Sequence, residues 1–348
     1  MEEKARYTMQ DLAKALGISV GTVHRALHGT GRINPETRRK VLDMAEQMHY
    51  KVNENAQALR RGAWKIGVLI CCPIIQFGDE IYKGIESAFR GIGEFNMISD
   101  IRVTPNCNAE QCPDTIRNAL SDFCSGSYDA VILFLSGPTG IFRPDFDRLD
   151  EAGMPVVTVV NDIPLKNRIL HVSADGFTAG KMAANILALC CQNGRIAVLT
   201  GSKETHIHAE TLRGFTDKQF AKSFEKIDIW EHHDDSELVR EQMQQILDNS
   251  DSYDGIYITS ACTIDVFDLL KDLKKGSCPY LVTTDLFVEN RYLLKKQTCT
   301  ATIFQDPYQQ GKKSVNRLYQ YLCGQKIEHK LLVTPQLVFP SNEPFVAK

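Results

Sequence analysis

Residues 7–27 read YTMQDLAKALGISVGTVHRAL, and this stretch decides how the front of the chain folds. Thr8 stands where an N-cap belongs, with Asp11 three residues on, the reciprocal pairing of a capping box. Asp11–Ala15 is therefore expected as a first helix. Leu12, Leu16, Val23 and Leu27 recur at spacings that let two helices share one apolar face. Ala13 is small where those helices must cross closely. Gly17 sits at the reversal, where a residue without a Cβ takes φ > 0 freely. Ser19 then caps a second helix, Val20–Leu27, whose outward face carries Thr22, His24 and Arg25. A small residue, a glycine four positions on and a valine six further form the skeleton of a helix-turn-helix.

Downstream, Asn34 as N-cap with Pro35 at the first helical position starts a third helix. Val41, Leu42, Ala45 and Met48 are its expected buried stripe. Arg38, Arg39 and Lys40 lie toward its exposed side, as phosphate ligands or as a solvated face. The polar run KVNENAQALRRG follows at 51–62, and Asn55–Arg60 within it makes a short helix, marginal alone. Leu59 is apolar beside Arg60 and Arg61. Such a residue either acts as a wedge in a minor groove, flanked by phosphate-binding charges, or packs back on the body.

Charge follows the same division. The whole chain is net −3, which alone argues against a nucleic-acid binder. Residues 1–62, however, hold 11 Lys and Arg against 7 Asp and Glu, while the remainder holds 29 against 36. A basic head on an acidic body fits a DNA-reading module attached to something that should stay off DNA. At 348 residues there is room for a small domain and a large one, and 43% hydrophobic and 24% charged content is ordinary for a soluble protein. MEEKARYTMQ has no apolar signal-peptide core, and no run approaches the ~20 apolar residues of a membrane span. With 11 cysteines the expected compartment is thus a reducing cytoplasm, with buried thiols rather than a disulfide framework. No CxxC spacing occurs, so no metal ion or other cofactor is expected.

From Trp64 the texture changes. WKIGVLICC, YDAVILFLS, MPVVTVVND, GRIAVLTGS, YDGIYITSA and PYLVTTDLF are short β-rich runs. EIYKGIESAFRGIGEF, TAGKMAANILALCC and SELVREQMQQILDN lie between them as helices. This alternation predicts a parallel sheet with helices on both faces. Several runs end in polar clusters: Asn161-Asp162, Thr200-Gly201-Ser202, Ser260 and Asp285. Ligands in open α/β sheets bind beyond the carboxyl ends of strands, so these clusters are expected to converge on one cleft.

The run from TMQDLAKALGISVGTVHRAL through INPETRRKVLDMAEQMHY to NENAQALRRG resembles the lactose-repressor (LacI/GalR) family of bacterial transcription regulators. The body resembles the type I periplasmic-binding-protein fold that the same family carries, with HVSADGFTAGKMAANIL, LRGF at 212–215, TTDLF at 283–287 and IFQDPYQQGKKSVNRLYQYL as landmarks. The resemblance implies a helix-turn-helix domain at 1–52, a hinge at 53–63 and an effector-binding, dimerising domain at 64–342. It further implies two parallel-sheet subdomains, roughly 64–172 plus 305–330 and 174–302 plus 331–342, joined by three crossing strands. A homodimer would place its second helices in two major grooves of a pseudo-palindromic operator in double-stranded DNA.

Residue by residue, Ser19 and Thr22 match the family's phosphate-contacting positions, and Val20, Gly21 and Arg25 its base-reading positions. Thr8, His24 and the hinge residues Asn53, Ala56, Leu59 and Arg60 complete the expected DNA-facing set. Gly21 departs from the family's usual longer side chain and costs roughly 1 kcal/mol of helix propensity. In the body, Asn161, Asp285 and Gln305 stand at ligand-contacting positions, and Asp162 and Ser260 join them from the strand ends. An Arg usual three residues before the Gly-Phe pair is replaced by Thr211, with His208 and His206 nearby as substitutes. Asp175 either touches ligand or caps the following helix.

No GxSxG elbow and no complete P-loop is present, and Glu231-His232-His233-Asp234-Asp235 reads as a solvated loop. The chain is accordingly expected to be no enzyme. It is expected to be a cytoplasmic, nucleoid-associated bacterial regulator answering to a sugar-like effector, with no membrane partner. A purine or sugar-phosphate co-repressor, or a sugar-binding or sugar-processing protein with a vestigial head, are the alternatives. Leu59→Ala should weaken specific DNA binding and reduce bending while sparing effector binding; a gel-phasing assay with unchanged bending would refute the wedge.

Overall fold

The computed structural model describes residues 7–28, 32–48, 62–249, 252–273 and 279–346. The chain divides into two units, Met1–Ala63 and Trp64–Lys348. Asn53, Ala56, Leu59 and Arg60 of the expected hinge lie outside the described residues.

In the front unit three helices form: α1 (Met9–Leu16), α2 (Val20–His28) and α3 (Pro35–Gln47). The capping box closes in both directions. Asp11 N donates to Thr8 Oγ1 at 3.3 Å and Thr8 N donates to Asp11 Oδ2 at 2.7 Å. Gly17 ends α1 at φ 61°, the left-handed conformation the reversal requires. Leu12, Ala13, Val23, Ala26 and Val41 are buried at the centre, with Leu16, Leu27, Met44, Ala45 and Met48 packed around them. Leu42 departs from the expected stripe and is 45% exposed. Positions 41, 44, 45 and 48 share one side of a 3.6-residue helix, whereas 42 is turned about 100° from 41.

The second unit holds two six-stranded sheets. Its elements run β1 (Trp64–Cys72), α4 (Ile75–Ile92), β2 (Met97–Pro105), α5 (Pro113–Ser125), β3 (Ala130–Leu135), α6 (Arg143–Glu151), β4 (Val156–Val159) and β5 (Arg168–Ala174). They continue with α7 (Gly176–Cys190), β6 (Arg195–Thr200), α8 (His206–Phe215), α9 (Lys218–Ala221), β7 (Lys226–Glu231), α10 (Ser236–Asp248) and β8 (Gly255–Ile258). The last are α11 (Thr263–Leu270), β9 (Tyr280–Thr284), α12 (Val288–Lys295), β10 (Cys299–Phe304), α13 (Pro307–Leu322), β11 (Lys330–Val333) and β12 (Gln336–Val338). The first sheet has the order β11-β5-β4-β3-β1-β2 and is parallel throughout. The second has the order β12-β10-β9-β8-β6-β7, with only the edge strand β12 antiparallel.

Both faces of each sheet are covered, which is why the strands read as unbroken apolar runs. Ile66, Val68 and Ile70 meet Ile81 and Ile85 of α4 and Val315 and Leu318 of α13. Leu69 and Cys71 point the other way, to Ile116, Leu120 and Phe123 of α5. In the second sheet Ile196 and Val198 face Ala183, Leu187 and Phe215, while Ala197 and Leu199 face Val239, Met243 and Ile246.

The chain passes between the sheets three times, at Ala174–Gly176, Phe304–Pro307 and Val333–Gln336. The expected third crossing at 330/331 is thus displaced, because Lys330–Val333 pairs in parallel with His171–Ala174 of the first sheet. The cysteines also depart from expectation at one place: Cys107 and Cys112 are joined by a disulfide across a short turn.

Each subdomain contains a helix pair whose backbones touch through glycine. A Cβ on Gly84 of α4 would lie 2.0 Å from Tyr308 O of α13, and one on Gly311 would lie 2.2 Å from Ile81 O. In the other subdomain a Cβ on Gly180 of α7 would lie 1.9 Å from Thr211 O of α8, and one on Gly214 would lie 2.0 Å from Phe177 O. Gly180→Ala gains about 1 kcal/mol of helix propensity. Forcing two backbones apart in a packed core costs ~1–3 kcal/mol. The urea midpoint of the variant should fall, and an unchanged midpoint would mean that α7 and α8 separate freely.

Candidate nucleic-acid interface and effector cleft

The interior of the front unit takes its apolar residues from all three helices and leaves one face of α2 outside. Val20 is 42% exposed, and Ser19, Gly21, His24 and Arg25 are exposed beside it. Ser19 Oγ accepts from Thr22 N at 3.1 Å and lies 2.9 Å from Thr22 Oγ1, so the expected cap of α2 forms. Arg25 folds back over its own helix, donating from Nε to Gly21 O at 3.2 Å and from Nη2 to Thr22 Oγ1 at 3.4 Å. These contacts are exposed and exchangeable with water, so the guanidinium can leave them for a base edge. Among the described residues nothing crowds Gly21, since the nearest neighbour of a Cβ there would be Ser19 Oγ at 3.8 Å.

In the second unit the polar groups gather at strand ends. Beyond β6, β7 and β8 stand Ser202, His232 and Ser260, each buried. Thr259 Oγ1 donates to Thr200 Oγ1 at 3.0 Å. His232 Nδ1 accepts from Asp234 N at 3.1 Å, which leaves Nε2 as the protonated nitrogen of the neutral ring, 3.3 Å from Ser260 Oγ. Burial pushes the His232 imidazole down to about 4, so the ring is neutral near pH 7. His208 Nε2 lies 3.6 Å from Asp234 Oδ1. Burial works against charge on Asp234, but His208, His232 and His233 together hold its carboxyl below the usual carboxylate range. A Cβ on Gly201 would lie 2.5 Å from both Asp234 Oδ1 and His208 Nε2, so that glycine admits the pair.

The reading of 231–235 as a solvated loop holds for the exposed His233 and Asp235 but is overturned at two positions: His232 is fully buried and the Asp234 side chain is 21% exposed. The signal was present in sequence. Asp235 caps α10, accepting from Glu237 N and Leu238 N at 2.9 Å, which puts 232–234 at the carboxyl end of β7.

Asp285 is fully buried at the end of β9, with φ 69°. Its carboxylate accepts from Gln305 N at 3.2 Å and Gln305 Nε2 at 3.1 Å, joining two of the expected residues directly. Burial raises its carboxyl to about 7, against the lowering effect of the Gln305 bonds. Asn161 is the counterpart in the first sheet. It follows Val160, a β-branched residue at φ 66°, a conformation such residues adopt only under constraint. Asn161 Nδ2 donates to Leu135 O at 3.0 Å, and its buried Oδ1 has no partner among the described residues.

Three expected residues have other occupations. Asp162 pairs with Arg168 and accepts from Thr158 Oγ1 at 3.3 Å, next to the buried His171. Thr211 is buried, with Oγ1 donating to Ile207 O at 2.9 Å in the α7–α8 contact. A short hydroxyl on that helix reaches its own backbone, where the longer Arg usual at this position would extend past it. Asp175 caps α7, accepting from Thr178 N at 3.0 Å. The two subdomains meet where Gln76 Nε2 of α4 donates to Glu289 Oε2 of α12 at 3.1 Å. Phe287 and Ala261 pack into the same cluster as Phe77.

Residues 66–326 match the family model described as a periplasmic binding protein domain, and residues 8–53 match that of bacterial regulatory proteins, lacI family. Among curated proteins the chain is 28% identical over 210 residues to catabolite control protein A of Priestia megaterium, covering 60% of this chain and 59% of that one. It is 26% identical over 289 residues to the sucrose operon repressor of Lactococcus lactis, covering 82% and 85%. The match thus spans about 59% of the length of catabolite control protein A. Among solved structures, the glucose-galactose binding protein GanP of Geobacillus stearothermophilus superposes with TM-score 0.69 at 22% identity, over 81% of this chain and 99% of that one. A solute binding protein from Bacillus halodurans with bound myo-inositol gives 0.68 at 18%, over 82% and 97%. At these identities the two structures establish the fold of the body alone. No helix among the described residues is long and apolar enough to cross a membrane.

The carboxyl of Asp285 supplies a test of the cleft. Its folded value near 7 lies above the ordinary 3.8, so the native chain holds an extra proton between those limits. Stability then falls as pH rises through that window. Asp285→Asn lacks this component, so its stability relative to wild type should improve from about pH 4 to about pH 7. Paired urea unfolding across that range measures it, and a pH-independent difference would remove the buried acid.

Proposed function

Because the chain belongs to the lacI family of bacterial regulatory proteins, we propose that it is a sequence-specific DNA-binding repressor, not an enzyme, controlled by a small polyhydroxylated effector. The observation that supports this best is the pairing in one chain of an outward reading face with a polar cleft. Val20 and Arg25 lie exposed on α2, while Asn161, His232, Asp234, Ser260 and Asp285 stand at strand ends. Arg25 presents two donors suited to a guanine edge, and Val20 an apolar surface suited to a thymine methyl. Ser19 and Thr22 supply hydroxyls for phosphate.

Neutral His232, the Ser260 hydroxyl, the free Asn161 oxygen and two carboxyls form a set of donors and acceptors of the kind that holds sugar hydroxyls. The same set disfavours a purine or sugar-phosphate co-repressor. An anion entering would meet the Asp234 charge with Thr211 already bonded to its own helix. The Lactococcus lactis relative is a sucrose operon repressor, which is in keeping with a carbohydrate.

In the proposed mechanism two copies dock on a pseudo-palindrome in the bacterial cytoplasm. The effector changes the angle between the two sheets, and that angle sets whether the paired 53–63 segments stay apposed in the minor groove. Coupling of this kind is typically ~1–3 kcal/mol. A steep loss of affinity with salt is expected from the phosphate contacts.

Footprinting of genomic fragments with a carbohydrate panel tests the proposal. A protected palindrome whose protection changes with one sugar is the expected result; no protection at any salt would leave a sugar-binding protein with a vestigial head. On the protected duplex Arg25→Ala should cost about 1–3 kcal/mol and relax specificity at one base pair. Asp285→Ala should keep duplex affinity and lose the sugar response. Equal affinity of Arg25→Ala for all duplexes tested, at the wild-type level, would take that residue out of the reading set.

A further inference from the structure

The loop after β2 brings together three sulfurs that neither DNA reading nor effector binding uses. Cys71 is buried at the end of β1; Cys107 and Cys112 are half-buried on the loop that leads from β2 to α5. Their three Sγ atoms lie within 4.8 Å of one another, the one such group of His, Cys, Asp or Glu ligands among the described residues. Two independent features hold the geometry. Asn108 closes a reciprocal capping box with Gln111, accepting from Gln111 N at 3.1 Å while Asn108 N donates to Gln111 Oε1 at 2.9 Å, so the turn between the cysteines is fixed. The loop is also tied to the sheet, with Ala109 N donating to Ser136 O at 2.9 Å and Cys71 Sγ donating to Cys107 O at 3.3 Å.

We propose that Cys71, Cys107 and Cys112 form a binding site for a thiophilic divalent metal ion in the reduced protein, and that the Cys107–Cys112 disulfide is its closed, oxidised state. A disulfide uses two of the sulfurs, whereas a soft divalent ion takes all three as thiolates and completes its shell with water. Zinc–sulfur bonds of about 2.3 Å place ligand sulfurs ~3.8 Å apart, within reach of the spacing here once the S–S bond opens. Opening requires a two-electron reductant: a pair of thiols, or a phosphine that with one water becomes its oxide. Two reductant thiols give up two electrons and two protons, becoming a disulfide, and Cys107 and Cys112 become thiols. Metal entry then forms three metal–sulfur bonds and releases three protons, one from each cysteine. Occupancy would tie the β2–α5 loop to the end of β1, at the carboxyl edge of the first sheet.

The test titrates cadmium into the full chain after treatment with a phosphine reductant, following sulfur-to-cadmium charge-transfer absorbance. One equivalent per chain is expected, absent when the disulfide is intact. Cys107→Ser and Cys112→Ser, both on the half-exposed loop, should each lose it while keeping the circular dichroism of the parent. Cys124→Ser, a thiol outside the group, should keep it. No absorbance in the reduced chain, or a full equivalent in both loop variants, overturns the site. Zinc competing for the same equivalent, read by loss of the cadmium band, extends the result to a second thiophilic divalent ion, and failure to compete counts against it.

Discussion

A parallel sheet whose two faces are both covered leaves only its edges for polar chemistry, and that constraint organises the large unit. Strands such as Trp64–Cys72 send alternate side chains to opposite clusters, so beyond Lys65 at its start no position of that strand can carry a charge cheaply. Donors and acceptors are displaced to the first residues beyond each strand. Both Val160 and Asp285 take left-handed backbone there, turning the chain sharply as it leaves β4 and β9. The conformational cost is borne by the sheets, whose burial over-determines where those turns lie.

The same burial decides ionisation. His232 loses its charge because no water reaches it, while Asp234 keeps its own because histidines surround it. Asp285 has only Gln305 to hold it, and its carboxyl rises. Three titratable groups at the carboxyl edge of the second sheet, two after β7 and one after β9, thus stand in different states near neutrality.

In the small unit the economy is different. Five buried residues make the centre, far too few for the margin a larger core provides, so caps contribute a large share. Thr8–Asp11, Ser19–Thr22 and Asn34 each satisfy backbone donors at a helix start, at roughly 1 kcal/mol apiece. The exposed face of α2 is freed from structural duty by these arrangements. That freedom is what allows Gly21, with no described residue crowding it, to stand at a position proposed to read DNA.

By itself the sequence determined the three-helix head, its caps, the alternation of strands and helices, and the pairing of Asn161 and Asp285 with strand ends. All of these follow from local periodicity, capping chemistry and spacing within a few residues. Only the tertiary structure decided that His232 and Asp234 are withdrawn from solvent at the end of β7, that Thr211 is spent on the α7–α8 contact, that β11 joins the first sheet, and that Cys71 meets Cys107 and Cys112. Each of those depends on contacts between segments distant in the chain, where packing rather than propensity selects the neighbour. The glycines at 84, 180, 214 and 311 show the reason plainly: each sits in an ordinary helix, and its necessity exists only because another backbone passes within about 2 Å of where a Cβ would stand.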